Sequence, residues 1–146
     1  MFPLGIGRKF EAGNRIGIYF GAIYNVSDKP RVLLIEDSDL ILKALSIYLS
    51  ERYEVVTAAH PFDALKDFGT QRFDLIITDL LMPAFSGFGL IAALRRQYPY
   101  TPIIAMTGWG KPLSWEGLGT DTLLMKPFEL EELDRTVNSL LVNSIL

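Results

Sequence analysis

From Arg31 to Leu141 the chain keeps one rhythm: a short strand-like run, a polar break, then apolar positions three and four residues apart. The strand-like runs are Val32 to Ile35, Glu54 to Ala58, Leu75 to Thr78, Pro102 to Met106 and Thr122 to Met125. Leu75-Ile76-Ile77 shows no polar alternation, which predicts a strand covered on both faces, as in a parallel sheet flanked by helices. After the first run, Ser38 is a helix cap, and Leu40, Ile41, Ala44, Leu45, Tyr48 and Leu49 fall on one helical face. Pro61 opens a short helix through Phe62, Leu65 and Phe68. Gly87 to Gln97 forms a third helix with Leu90, Ile91 and Leu94 inward, and Leu130, Leu133, Val137, Leu140 and Leu141 mark the last. Strands separated by helical patterns predict an α/β fold with a doubly wound parallel sheet.

The first thirty residues break this rhythm. Five glycines (Gly5, Gly7, Gly13, Gly17, Gly21) alternate with Phe2, Phe10, Tyr19, Phe20 and Tyr24. The apolar run from Ile16 to Val26 is interrupted by glycine and too short for a membrane span. It is also placed late for a signal peptide. Asn25 to Pro30 reads as a linker, so the expected division is an N-terminal arm over 1–30, with no assigned role, and one domain over 31–146. The arm carries a net +2, which leaves −5 for the rest of a chain whose formal charge is −3. An acidic main domain argues against direct contact with nucleic acid. The absence of cysteine excludes disulfides, thiol chemistry and cysteine-bound metal, and suits a reducing, cytoplasmic setting.

Chemistry gathers where the strands end. The first run ends in Glu36-Asp37, the third in Asp79, the fourth in Thr107-Gly108 and the fifth in Lys126-Pro127. Open parallel sheets bind ligands at the carboxyl ends of their strands. If these strands are neighbours, three carboxylates, a hydroxyl and an ammonium converge. Three clustered acids repel, so protonation or a cation must offset them. A hard divalent ion such as Mg²⁺, bound by carboxylates together with phosphate and water, is the economical solution. Lys126 and Thr107 would then suit a tetrahedral, doubly charged group such as a phosphoryl on Asp79. Taken singly, each residue has a blander reading: Asp79 as a turn residue, Glu36-Asp37 as the start of a helix, Lys126 as a solvated lysine. His60, the single histidine, reads as a loop residue before Pro61.

Glu36-Asp37, Asp79 followed by Met82-Pro83 and Gly87, Thr107, and Lys126-Pro127-Phe128 together resemble the receiver domain of two-component response regulators. The resemblance runs from Arg31 to about Leu141. It implies a flavodoxin-like fold, five parallel strands in the order 2-1-3-4-5. It implies Asp79 as phosphoacceptor, with Mg²⁺ held by Asp37, Asp79 and the backbone carbonyl of Leu81, and by Glu36 through water. Thr107 would bond a phosphoryl oxygen, Lys126 would pair with the phosphoryl group, and the Lys126-Pro127 bond would be cis. The phosphoryl donor would be a histidine kinase or a histidine phosphotransfer protein. Such a protein is a signalling phosphoacceptor rather than an enzyme in the ordinary sense, catalysing only its own phosphoryl transfer and dephosphorylation.

Departures from the family pattern shape further expectations. Leu123 stands where many receivers carry an aromatic residue. Ala105-Met106-Thr107-Gly108-Trp109 is similar to the motif of an atypical receiver subgroup, loosely called FATGUY. Gly108, Gly110, Gly117, Gly119 and Pro112 weaken any helix there, at about 1 kcal/mol per glycine and about 3 for an interior proline. The expected fourth helix is therefore short or irregular, with Trp109 or Trp115 on a partner surface. The expectation is a stand-alone receiver, without an effector domain after Leu146, that signals through protein contacts. Alternatives are a pseudo-receiver that binds partners without phosphorylation, and a receiver detached from a hybrid kinase. A phosphatase of the haloacid dehalogenase type needs an acid at the place of Leu81. A flavin or nucleotide binder would be repelled by Glu36-Asp37-Ser38-Asp39.

Overall fold

The computed structural model describes residues 7–11, 14–19, 22–26, 29–67, 71–82, 85–108 and 119–143. The chain opens with three short strands, β1 (Gly7–Glu11), β2 (Asn14–Tyr19) and β3 (Ala22–Val26), which form an antiparallel meander with β2 in the middle. Within the apolar run Ile16 to Val26, residues 16–19 and 22–26 have strand backbone.

Five parallel strands follow: β4 (Arg31–Ile35), β5 (Glu54–Ala58), β6 (Leu75–Asp79), then β9 (Ile103–Thr107) and β10 (Thr122–Met125), after the two-residue ribbon β7 (Leu81–Met82) and β8 (Phe85–Ser86). Their spatial order is β5-β4-β6-β9-β10, which is the expected 2-1-3-4-5. The helices are α1 (Asp39–Ser50), α2 (Pro61–Asp67), α3 (Gly87–Gln97) and α4 (Leu130–Asn143). Trp109, Trp115 and nearly all of the segment expected to hold an irregular helix lie outside the described residues. Among the described residues, no helix is long and apolar enough to cross a membrane.

Alternate residues of each central strand feed two cores. Leu33, Ile35, Ile76, Ile103 and Ala105 pack with Ala64 of α2 and with Leu90, Ile91 and Leu94 of α3. Val32, Leu34, Leu75, Ile77, Ile104 and Met106 pack with Leu45 and Leu49 of α1 and with Leu133, Val137 and Leu141 of α4. Both faces of β6 are therefore buried, as its unbroken apolar run requires. The ring of Phe73 meets Tyr98 edge-on below the sheet. At the far end of α1, Tyr53 Oη donates to Asn138 Oδ1 of α4 at 2.9 Å, and Arg52 pairs with Asp134.

Sequence pattern misplaced one helix face. Leu40, Ile41 and Ala44 were expected inward, yet all three are exposed, Leu40 by 81%. The inward positions are Leu42, Leu45 and Leu49. At 3.6 residues per turn, Leu40 sits about 160° round the helix from Leu42. Nearly every position of α1 from 40 to 49 is apolar, so periodicity could not choose between the two stripes. Phe62 and Leu130, which stand in the first turns of α2 and α4, are exposed. Phe68 lies outside the described residues. The fourth sheet strand begins at Ile103 rather than Pro102, since proline has no N–H to give the ladder.

Two features aim the carboxyl edge. Ser38 caps α1 by accepting from Ile41 N, and Ser86 caps α3 by accepting from Gly89 N. Gly87 must lack a side chain, because a Cβ there would lie 2.5 Å from the backbone oxygen of Leu80. That close approach seats the start of α3 against the turn that follows Asp79.

Candidate functional site

Strand register assembles the site. In the β4–β6 ladder Ile35 is level with Thr78, so the next residues, Glu36 and Asp79, stand side by side. In the β6–β9 ladder Asp79 pairs with Met106, and in the β9–β10 ladder Thr107 pairs with Met125. Glu36, Asp79, Thr107 and Lys126 thus meet at one edge, as the strand ends suggested. The Lys126 amide also donates to the Thr107 carbonyl at 2.7 Å, which extends the last ladder by one residue. The Lys126-Pro127 bond is cis.

The carboxyl groups differ in exposure. Glu36 is 1% exposed and Asp79 5%, while Asp37 is open to solvent. One carboxylate oxygen from each lies within 4.8 Å of the others. Asp79 Oδ1 accepts from Leu81 N at 2.9 Å, and Asp79 Oδ2 accepts from Lys126 Nζ at 2.6 Å. Glu36 Oε1 accepts from Ser38 N at 3.1 Å, and Glu36 Oε2 accepts from Lys126 Nζ at 3.0 Å. In each buried acid, therefore, one oxygen accepts from a backbone amide and the other from the shared ammonium. Thr107 is buried at the end of β9.

Electrostatics follow from this crowding. The Glu36 carboxyl is pushed up to about 7: burial, and to a smaller extent Asp79, raise it against the opposing pull of Lys126 and the Ser38 amide. For Lys126, burial pulls the ammonium down, but its hydrogen bonds to the Asp79 and Glu36 carboxylates and their charge outweigh it, and the net direction is upward. Were all three carboxyls ionised, one ammonium would leave the cluster a formal charge of about −2. All-oxygen donors of that charge, with Asp37 facing water, fit a hard divalent cation.

Sequence reasoning found Glu36, Asp37, Asp79, Thr107 and Lys126, and the fold brings them together. It did not foresee the amides of Ser38 and Leu81 as anchors for the acids. Leu81, expected to offer its carbonyl to a metal ion, donates its N–H to Asp79 Oδ1. Backbone donors leave no trace in side-chain identity; only the turn after each strand could have signalled them. Nor was Lys126 expected to bridge two acids. His60 is turned to local use: its Nδ1 accepts from Phe62 N at 3.2 Å, and its ring stacks on Phe62.

The family described as response regulator receiver domain matches residues 32–138. A probable transcriptional regulator, ycf27, of Cyanophora paradoxa is 35% identical over 118 residues, which is 78% of this chain and 49% of that protein. The alkaline phosphatase synthesis transcriptional regulatory protein PhoP of Bacillus subtilis is 32% identical over 119 residues, again 78% of this chain and 49% of the relative. The chain thus spans about half the length of these curated relatives. Among solved structures, chemotaxis protein CheY4 of Vibrio cholerae superposes with a TM-score of 0.71 at 36% identity, covering 77% of this chain and 98% of that one. The receiver domain of Francisella response regulator 1452 gives a TM-score of 0.73 at 28% identity, covering 80% and 99%.

Proposed function

The chain belongs to the response regulator receiver domain family, and from that premise we propose that it accepts a phosphoryl group on Asp79 from a phosphohistidine of a histidine kinase or phosphotransfer protein. In this reading residues 31–146 form the phosphoaccepting unit, it works in the cytoplasm, and its output passes through contact with another protein. Support comes above all from the convergence of Glu36, Asp37, Asp79, Thr107 and Lys126 on one edge, with Asp79 at its centre.

A carboxylate oxygen of Asp79 attacks phosphorus, the new O–P bond forms as the donor's N–P bond breaks, and the released imidazole takes up a proton. The Leu81 amide holds Asp79 Oδ1, so the oxygen turned toward Lys126 is the nucleophile. Lys126 pairs with the transferred phosphoryl, and the Thr107 hydroxyl bonds one of its oxygens. Asp37, Asp79 and the Leu81 carbonyl, with Glu36 through water, are the groups to hold Mg²⁺. When bound there, the ion neutralises charge on the phosphoryl oxygens. Since transfer needs little covalent help, positioning and charge compensation are the protein's whole contribution.

Incubation with a small phosphodonor and Mg²⁺, followed by intact mass, tests this. A single phosphoryl adduct is expected on the unmodified chain and none on Asp79→Asn, because an amide oxygen is a poor nucleophile. An adduct that persists in that variant would put the acceptor elsewhere.

A further inference from the structure

We propose that the N-terminal meander is the chain's own partner for α4: a tethered strap, held by charge, that covers part of this helix until something displaces it. The contact does not depend on phosphoacceptance by Asp79.

Two anchors set the place of the meander. Lys29 Nζ donates to the carbonyls of Ser50 and Glu51, at the end of α1, at 3.2 and 3.4 Å. Glu54 N donates to the Pro30 carbonyl at 2.9 Å. The last turn of α1 has no basic residue, so Lys29 supplies from outside the cation that the negative pole of a helix favours. β3 ends at Val26, three residues before Lys29, and three residues span at most about 11 Å. The end of α1 is in turn joined to α4, through Arg52 with Asp134 and Tyr53 with Asn138. The tether therefore ends where α1 meets α4. From there the meander crosses to β1, its far edge, which runs beside α4 with Cα atoms within 8 Å.

Charge favours the same pairing. Arg8, Lys9 and Arg15 against Glu11 give the three strands a formal +2. Glu131, Glu132 and Asp134 against Arg135 give α4 a formal −2, and its last turn, like that of α1, has no basic residue. A positive sheet thus lies beside a negative helix. The short tether holds the meander at an effective concentration of order millimolar, so even a weak attraction keeps it seated. The family match begins at residue 32, beyond the meander. The strap is therefore an addition to the receiver unit, and any protein that reads α4 has to compete with it.

The chain has no cysteine, so one introduced at Asn14, in β2, takes a nitroxide label without changing the charge of the meander. In the full Asn14→Cys chain, the amide NMR signals of α4 should broaden more than those of α2 and α3, which pack on the opposite face of the sheet. Equal broadening of the three helices, or none, overturns the proposal. Raising the salt from about 0.1 to about 1 M shortens the screening length from about 10 to about 3 Å and should at least halve the broadening of α4. Broadening that ignores salt overturns the charge-held strap. Arg8→Gln with Lys9→Gln should weaken the broadening at low salt in the same way, and full broadening there has the same consequence. Because the salt titration keeps Arg8 and Lys9, the result does not hinge on the folding of that variant. Mixing labelled chain with unlabelled, nitrogen-15-enriched chain tests the other occupant: broadening of α4 in the mixture means that the meander straps a second copy, and overturns the intramolecular contact.

Discussion

Replacing Glu36 with Gln removes a carboxyl that is 1% exposed and whose value burial raises from 4.5 to about 7. A raised acid binds its proton more tightly when folded than when unfolded. Its contribution is therefore fully present below about pH 4.5 and is lost as pH rises through about 7. With each unit worth about 1.4 kcal/mol, the loss across that window is of order 3 kcal/mol. For a domain of this size a urea dependence of about 2 kcal/mol per molar turns that into a midpoint shift of about 1.5 M. The assay is urea denaturation in metal-free buffer at several pH values between 5 and 8. The unmodified chain should lose stability upward through this range. Glu36→Gln should lose far less, because its amide cannot ionise beside Asp79. Saturating Mg²⁺ should restore the high-pH limb of the unmodified chain by binding the ionised carboxylate. If the variant keeps the parent's slope, or if the parent grows more stable from pH 5 to 8, the argument from burial is wrong.

Other outcomes can be checked alongside. Gly87→Ala should cost about 1–3 kcal/mol by thermal or urea unfolding, because its Cβ would press on Leu80 O at 2.5 Å; a neutral result would mean that α3 can shift freely. Leu45→Ala should cost about 2–5 kcal/mol, while Leu40→Ser should stay within about 0.5, since Leu45 is buried and Leu40 exposed; equal costs would restore the face that periodicity suggested. Leu81, half-exposed two residues beyond Asp79, has no group to orient water. Leu81→Asn should therefore shorten the phosphoryl lifetime measured by intact mass over time, and an unchanged lifetime would refute the shielding argument.

What the sequence alone determined was the succession of elements and the residues at strand ends. An unbroken run such as Leu75-Ile76-Ile77 can be buried on both faces only inside a covered sheet, and Ser38 and Gly87 mark the starts of α1 and α3 by local chemistry. Those signals act over a few residues, so they can be read one segment at a time. Which stripe of α1 turns inward was not legible, because Leu40, Ala44 and Ile47 are as apolar as Leu42, Leu45 and Leu49. Only the position of the sheet selects one. The same holds for the charge pattern at the site. Sequence places Glu36, Asp79 and Lys126 far apart, with Glu36 and Lys126 separated by 90 positions. Their bridge depends on strand register, on two backbone amides whose donors every residue but proline possesses, and on a burial that only the closed sheet creates. Identity can be read from side chains, but pairing and protonation are properties of the distances that the tertiary fold sets.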